Sequence, residues 1–285
     1  MSLTIAVDTV SDLPENLARA YKIPMLPVNI RFGRKQYKDR EELSPEEFYS
    51  LLKTSPIHPM TTPMTPVTAY RFFKHHLETN QHILMITVTA SVSRVYNNCK
   101  IAAEFIEEGN VEILDSGTLS IGEGLLALYG SMLQEAGLLP GQIIRRLERV
   151  KQRGFAMLQP ENLVYLERSG RIDDVVALYV GKTLKIQPVL GIEQGHVHPV
   201  ANAFSFKKGI EKMLEILKDR YGDEELLVGI MDSGSVAWAD YLESETINSL
   251  NTIQIIRTKL GPSMGAHVGP NTIGISVIPF EPIEG

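Results

Sequence analysis

The sequence predicts an α/β protein. An N-terminal domain on a parallel sheet with flanking helices is followed by an α+β domain on a mixed or antiparallel sheet. Three observations carry this. The chain has 285 residues, a length that favours two domains over one small one. Its first half alternates short apolar runs with amphipathic segments, the rhythm of parallel strands joined by crossover helices. After about residue 155 a hairpin signal mixed with helices replaces that rhythm, so the division falls at 1–155 and 156–285.

In the first half the apolar runs Thr4–Asp8, Met25–Arg31, Ile83–Val88 and Val111–Leu114 read as strands. Ser44-Pro45-Glu46-Glu47 combines a cap, a first-turn proline and a glutamate at the third helical position, which is a capping box. Thr65-Pro66 repeats the cap and proline before a helix over Val67–Leu77. Ser93 opens a helix with Ile101, Ala102, Phe105 and Ile106 on one apolar face. Longer helical patterns run over Thr118–Gln134 and Gly141–Lys151, punctuated by Gly137 and Pro140. In the second half Leu184–Glu193 and His196–Ala201 are strand-like runs joined by Gln194-Gly195, a hairpin signal. A helix over Ser205–Arg220, a strand at Leu226–Met231, a helix near Val236–Leu242 and strands at Thr252–Thr258 and Thr272–Ile278 complete the pattern.

Composition excludes several classes. A net charge of -6 and no dense Lys/Arg cluster argue against a nucleic-acid partner. No run approaches the roughly 20 apolar residues that span a bilayer, and Gly130-Ser131 interrupts the best candidate, Gly124 to Leu133. The opening Leu3–Val7 run lacks the basic start and long apolar core of a signal peptide. A single cysteine, Cys99, permits no internal disulfide and fits a reducing cytoplasm. A soluble cytoplasmic protein is therefore expected.

Hydroxyl side chains gather at the predicted ends of the first-half strands. They are Thr9 and Ser11; Thr61 and Thr62; and Thr87, Thr89, Ser91 and Ser93. Singly, each reads as a helix cap or turn residue. Together, beside helix N-termini at the carboxyl ends of strands, they suit a carboxylate or phosphate. His267 lies in Gly265-Ala266-His267-Val268-Gly269-Pro270, read as a loop, where glycines such as Gly269 let backbone approach a ligand and the imidazole can donate to an anion. Gly170 reads as a helix C-cap, after which Arg171 either pairs with Asp173 or Asp174 or faces an anion or a partner. His196 and His198 share one strand face but lack a third ligand, so no metal is expected, and no cofactor either.

Two enzyme-like patterns read more simply as structure. Gly122-Glu123-Gly124 matches a dinucleotide fingerprint on paper but begins several residues past its strand, so its glycines read as helix-packing positions. Ile5-Ala6-Val7-Asp8-Thr9-Val10 is similar to the nucleophilic-aspartate loop of haloacid-dehalogenase-type phosphatases, but the position of their second acid is Val10. An aspartate that orders its own turn is the simpler reading, and a hydrolase using Asp8 is the alternative function. The histidines are remote from the serines, so no nucleophilic triad is visible.

Taken in order, Asp8-Thr9-Val10-Ser11-Asp12-Leu13-Pro14, Tyr37-Lys38-Asp39, Thr61-Thr62-Pro63-Met64-Thr65, Thr89 to Tyr96, Asp115-Ser116, Gly170-Arg171-Ile172, Lys185 to Leu190 and Gly265 to Pro270 resemble the motifs of the DegV family of fatty-acid-binding proteins. The likeness runs nearly the whole chain. It implies a long-chain fatty acid between the two domains, its tail in an apolar tunnel and its carboxylate held by Thr61, Ser93 and His267. Thr62, Arg94, Arg171 and Gly269 are further head-group candidates. It also implies a non-enzymatic acyl carrier that presents the carboxylate to a separate ATP-dependent kinase subunit. Two departures stand out: Arg94-Val95 replaces the family's glycine and threonine, and Thr89-Ala90 replaces its serine pair.

Overall fold

The computed structural model describes residues 3–107, 109–170 and 186–282. In chain order the first half runs β1 (Leu3–Asp8), α1 (Glu15–Ala20), β2 (Met25–Leu26), β3 (Asn29–Phe32), β4 (Lys35–Lys38), α2 (Pro45–Thr54), β5 (Met60–Thr62), α3 (Pro66–Leu77), β6 (His82–Thr87), α4 (Val95–Glu104), β7 (Asn110–Asp115), α5 (Ile121–Glu135) and α6 (Pro140–Lys151). Strands β2, β1, β6 and β7, in that order, form the expected parallel sheet. β1 is buried at all six positions, which is why it reads as one apolar run without alternation.

The capping box before α2 is present. Ser44 Oγ accepts from the Glu47 amide at 3.3 Å, and Glu47 Oε2 accepts from the Ser44 amide at 2.9 Å. Thr65 caps α3 through the Thr68 amide at 3.2 Å. Three expectations change. The run Met25–Arg31 is two strands in two sheets: Pro27 has no N–H to donate to a ladder, and beyond it the chain enters a small antiparallel sheet of order β4-β3-β5. Helix α4 starts at Val95, and Phe105 and Ile106 lie beyond its end. It buries Val95, Cys99 and Ala102, while Ile101 and Phe105 are 43% and 66% exposed. The long helix α5 begins at Ile121 rather than Thr118.

The second half runs β8 (Phe155–Gln159), α7 (Val164–Ser169), β9 (Gln187–Glu193), β10 (His196–Ala203), α8 (Phe206–Tyr221), β11 (Leu226–Asp232), α9 (Val236–Ser249), β12 (Thr252–Lys259), α10 (Pro262–Val268) and β13 (Ile273–Pro279). Its six strands form one mixed sheet of order β10-β9-β8-β13-β11-β12, in which only β11 and β12 pair in parallel. Gly170 has left-handed geometry and caps α7 as expected. The hairpin turns at Gln194-Gly195. Helix α9 continues past Leu242 to Ser249. Gly265 to Val268, read as loop, belongs to α10 instead: Pro262 at its start and Gly269 after its end bracket one short helix. Arg171, Asp173, Asp174, Leu184 and Lys185 lie outside the described residues.

Helix α5 joins the halves. It is apolar nearly all round, the mark of a buried helix, and it packs on β1 and β6 on one side and on β11 and β13 on the other. Glycines allow this close approach, as expected of helix-packing positions. A Cβ on Gly122 would stand 2.7 Å from Ser276 Oγ of β13. The C-terminal segment is tied to the same core. Glu281 accepts from Arg149 Nε at 2.8 Å and Arg146 Nε at 3.1 Å, and the Tyr129 hydroxyl donates to the Glu281 carbonyl at 2.8 Å.

The hydrogen bonds from Arg149, then Arg146, pull the Glu281 carboxyl from 4.5 down to about 2. A folded pKa below the unfolded one gives stability that is present above about 4.5 and lost as pH falls toward 2. Glu281→Gln should therefore lower stability by on the order of 1–2 kcal/mol at neutral pH, allowing for solvent screening. Urea unfolding should show the gap to wild type shrinking between pH 7 and pH 3; a constant gap contradicts this account.

A candidate anion-headed ligand site between the sheets

The strand-end hydroxyls separate into two groups. Most brace the loops. Thr9 Oγ1 accepts from the Val28 amide at 3.1 Å, Ser11 Oγ accepts from the Leu13 amide at 3.4 Å, and the Ser91 hydroxyl donates to the Gly195 carbonyl. That last bond, with the Gly195 amide on the Gly117 carbonyl at 2.7 Å, docks the β9–β10 hairpin tip on the first half. Gly195 has φ +84°, and a Cβ there would press on Thr89 and Ser91, so only glycine suits the tip.

Thr61 and Ser93 instead line a cavity between the two halves, about 820 Å³ including its open mouth. Its walls are mainly apolar. Val88, Val92 and Leu119 come from the first half, and Leu158, Leu190 and Ile192 from the second. Its polar side chains are Thr61, Thr62, Ser93, Ser263 and His267. Thr61, the middle residue of β5, faces His267 in the last turn of α10, with Oγ1 and Nε2 3.0 Å apart. If Nε2 carries the proton the imidazole donates to Thr61; in the other tautomer Thr61 donates to the ring. Ser93 follows β6, and its Oγ accepts from the Val95 amide at 3.3 Å, which leaves its proton free to turn toward the cavity. A carboxylate is acceptor-only and needs several such donors when buried.

Thr62 lines both the cavity and its outer vestibule, whereas Arg94 and Gly269 sit apart from this group. Arg94 is exposed at the start of α4, in an outer vestibule shared with Thr62, Asn97 and His196. Gly269 is buried behind the cavity wall. Its amide donates to the Gly265 carbonyl at 2.9 Å, and its carbonyl accepts from the Ser233 hydroxyl at 2.9 Å.

Buried carboxylates brace the cavity from behind. Asp8 accepts from the Val10 and Val88 amides, both at 2.9 Å, and so orders its own turn and the loop after β6. Burial pushes its carboxyl up to about 7, against the opposing pull of those amides. Glu123, also raised by burial and by nearby Asp8, accepts from the Asp8 amide at 3.2 Å. Asp12 gathers three donors: Arg40 Nη2 at 2.7 Å, the Gly261 amide at 2.8 Å and the Ser120 hydroxyl at 2.6 Å. The Ser263 hydroxyl donates to Asp39. Burial pushes Asp39 up to about 7, with Ser263 opposing. Asp12 and Asp39 hold the segment that leads into α10, and Ser263 is the cavity residue that sequence reasoning missed. The Gly261-Pro262 start of α10 was its visible signal, since a glycine cap leaves the helix to be capped from elsewhere.

A family model described as an uncharacterised protein of the DegV family matches residues 2–280. The chain belongs to the DegV family. It is 27% identical over 274 residues to a DegV domain-containing protein of Caldanaerobacter subterraneus subsp. tengcongensis, covering 96% of this chain and 97% of that one. Among solved structures, a DegV family protein of Thermus thermophilus described as binding fatty acid superposes with a TM-score of 0.92 at 25% identity, over 98% of this chain and all of that one. A DegV lipid-binding protein of Thermotoga maritima shares the fold, with a TM-score of 0.90 at 24% identity over 99% of both chains. Nothing in these likenesses points to a phosphatase, and Asp8, the nucleophile of that alternative, is fully buried with its carboxylate on backbone amides. Among the described residues no helix is long and apolar enough to cross a membrane, and no His/Cys/Asp/Glu cluster could hold a metal ion.

Proposed function

We propose that this DegV protein binds a long-chain fatty acid in the cavity, with its carboxylate on Thr61, Ser93 and His267, and presents that carboxylate to a separate ATP-dependent kinase subunit in the cytoplasm. The observation that carries the binding is an apolar cavity with His267 and Thr61 in contact and Ser93 on the same wall. The fatty-acid binding described for the Thermus thermophilus relative supports it. Each buried methylene contributes about 0.8 kcal/mol, so a tail of about sixteen carbons provides ample gross affinity even after the cost of association. The polar groups then serve orientation. They hold the carboxylate by hydrogen bonds and leave the phosphoryl transfer from ATP, with ADP as leaving group, to the partner. In this reading residues 1–155 supply the hydroxyls, and residues 156–285 complete the tunnel and supply His267.

Ser93 and Ser91 test the placement. Ser93→Ala should weaken palmitate binding by about tenfold or more, as loss of a hydrogen bond to a charged group does. Ser91→Ala should stay near wild type, because its hydroxyl is spent on the Gly195 carbonyl. Equal losses in a competition assay would put the head group elsewhere. Presentation is tested by trapping acyl phosphate with hydroxylamine after incubating loaded protein, ATP and the kinase subunit. A loaded protein that yields no acyl hydroxamate would leave binding standing and remove presentation.

A further inference from the structure

Helix α10 carries His267, yet it has only seven residues and supplies no cap of its own. Its N-cap is Gly261, with no side chain, and its first position is Pro262, with no N–H. A helix this short does not hold its shape by propensity, so the direction of His267 must be set from outside. The clamp comes from the other half of the chain. Asp39, just after β4 and fully buried, accepts from the Ser263 hydroxyl in the first turn of α10. A buried carboxylate holding a first-turn side chain ties the start of the helix to the rest of the fold, and its charge suits the positive end of the helix. Asp39 is itself anchored, since its amide donates to the Val28 carbonyl at 2.9 Å and Val28 lines the cavity. Ser263 and His267 are four residues apart, on one face of α10, and both reach the cavity.

We propose that Asp39 is the positioning residue of the head-group site: by clamping the first turn of α10 across the two halves, it fixes where His267 meets Thr61 and the ligand carboxylate. Asp39 does not line the cavity and acts only through the helix. Asp12 and Arg40 stand beside it but act one step earlier, on Gly261 and the end of β12. The proposal rests on the fatty-acid reading of the cavity, and its test keeps the two apart.

Palmitate and hexadecanol share a tail and differ at the head, so their affinity ratio reports carboxylate recognition alone. Displacement of a fluorescent acyl probe from the full-length protein measures both. Wild type should prefer palmitate; no preference at all overturns the head-group reading itself. Asp39→Asn should reduce the palmitate-to-hexadecanol preference by about tenfold while leaving hexadecanol affinity within about twofold. Adding His267→Ala to Asp39→Asn should cost little beyond His267→Ala alone, because both changes remove one contact. Ser263→Ala removes the hydroxyl through which Asp39 holds the helix and should lower the same ratio; it decides the matter if Asp39→Asn does not fold. A variant pair that keeps the wild-type ratio, weakens both ligands alike, or adds fully to His267→Ala overturns the proposal.

Discussion

Asp12→Ala should lower the unfolding free energy by about 3–5 kcal/mol, the expected cost of removing one partner from a buried ion pair. Three groups lose their acceptor at once. Arg40, only 10% exposed at its side chain, keeps its charge and loses its 2.7 Å contact. The Gly261 amide and the Ser120 hydroxyl are stranded with it, and a buried donor left without a partner costs more than a hydrogen bond ordinarily contributes. The damage is tertiary, because Asp12 follows β1 whereas Gly261 and Ser120 start α10 and α5. Urea unfolding should show a large fall in midpoint with little change in slope. Replacing the Asp12–Arg40 pair together by apolar residues should recover part of the loss, since no unpaired charge remains. A loss below about 1 kcal/mol for Asp12→Ala would mean that the cluster is not the tie between the halves.

His267→Ala should produce the second large effect, on binding rather than folding. His267 is half-buried at the end of a short helix, and its contact with Thr61 spans 206 residues of sequence. Removing the imidazole deletes one proposed donor for the carboxylate and the Thr61–His267 contact. Palmitate affinity should fall by about ten- to a hundredfold, the range for a hydrogen bond to a charged group. Thermal stability without ligand should change little, because the ring holds no core position. A titration that finds palmitate affinity unchanged would place the carboxylate away from His267.

Much of the fold was legible because local physics fixed it. The capping box at Ser44 and Glu47, the Thr65-Pro66 start and the Gly170 C-cap need only neighbouring residues to form, and all three are present. The failures share a different cause. Pro27 inside an apolar run was itself the sign that Met25–Arg31 could not be one interior strand. Ile101 and Phe105 share a stripe with Ala102, but periodicity names candidate faces and cannot say which one packs; Val95 and Cys99 define the buried one. The glycines around His267 suggested a loop, and α10 forms because Asp12 and Asp39 anchor its start from far away in sequence.

The candidate site was legible in the same uneven way. The order of short motifs, compared with the DegV pattern, singled out Thr61, Ser93 and His267 from a larger set of hydroxyls. No periodicity or spacing could have done so, because most of that set braces loops with the same chemistry. Ser263 stayed invisible for the opposite reason: it is an ordinary serine until Asp39 folds against it. Arg94, the departure beside Ser93, lies in the outer vestibule and not in the cavity.

The central claim is that the cavity holds a fatty acid, and extraction tests it most directly. Purified protein is denatured, extracted with organic solvent, and the extract is weighed by mass spectrometry against the protein concentration. The account predicts a long-chain fatty acid in near-stoichiometric amount, or its uptake to that level when the delipidated protein is offered palmitate. A protein that releases no fatty acid and takes up none would contradict it.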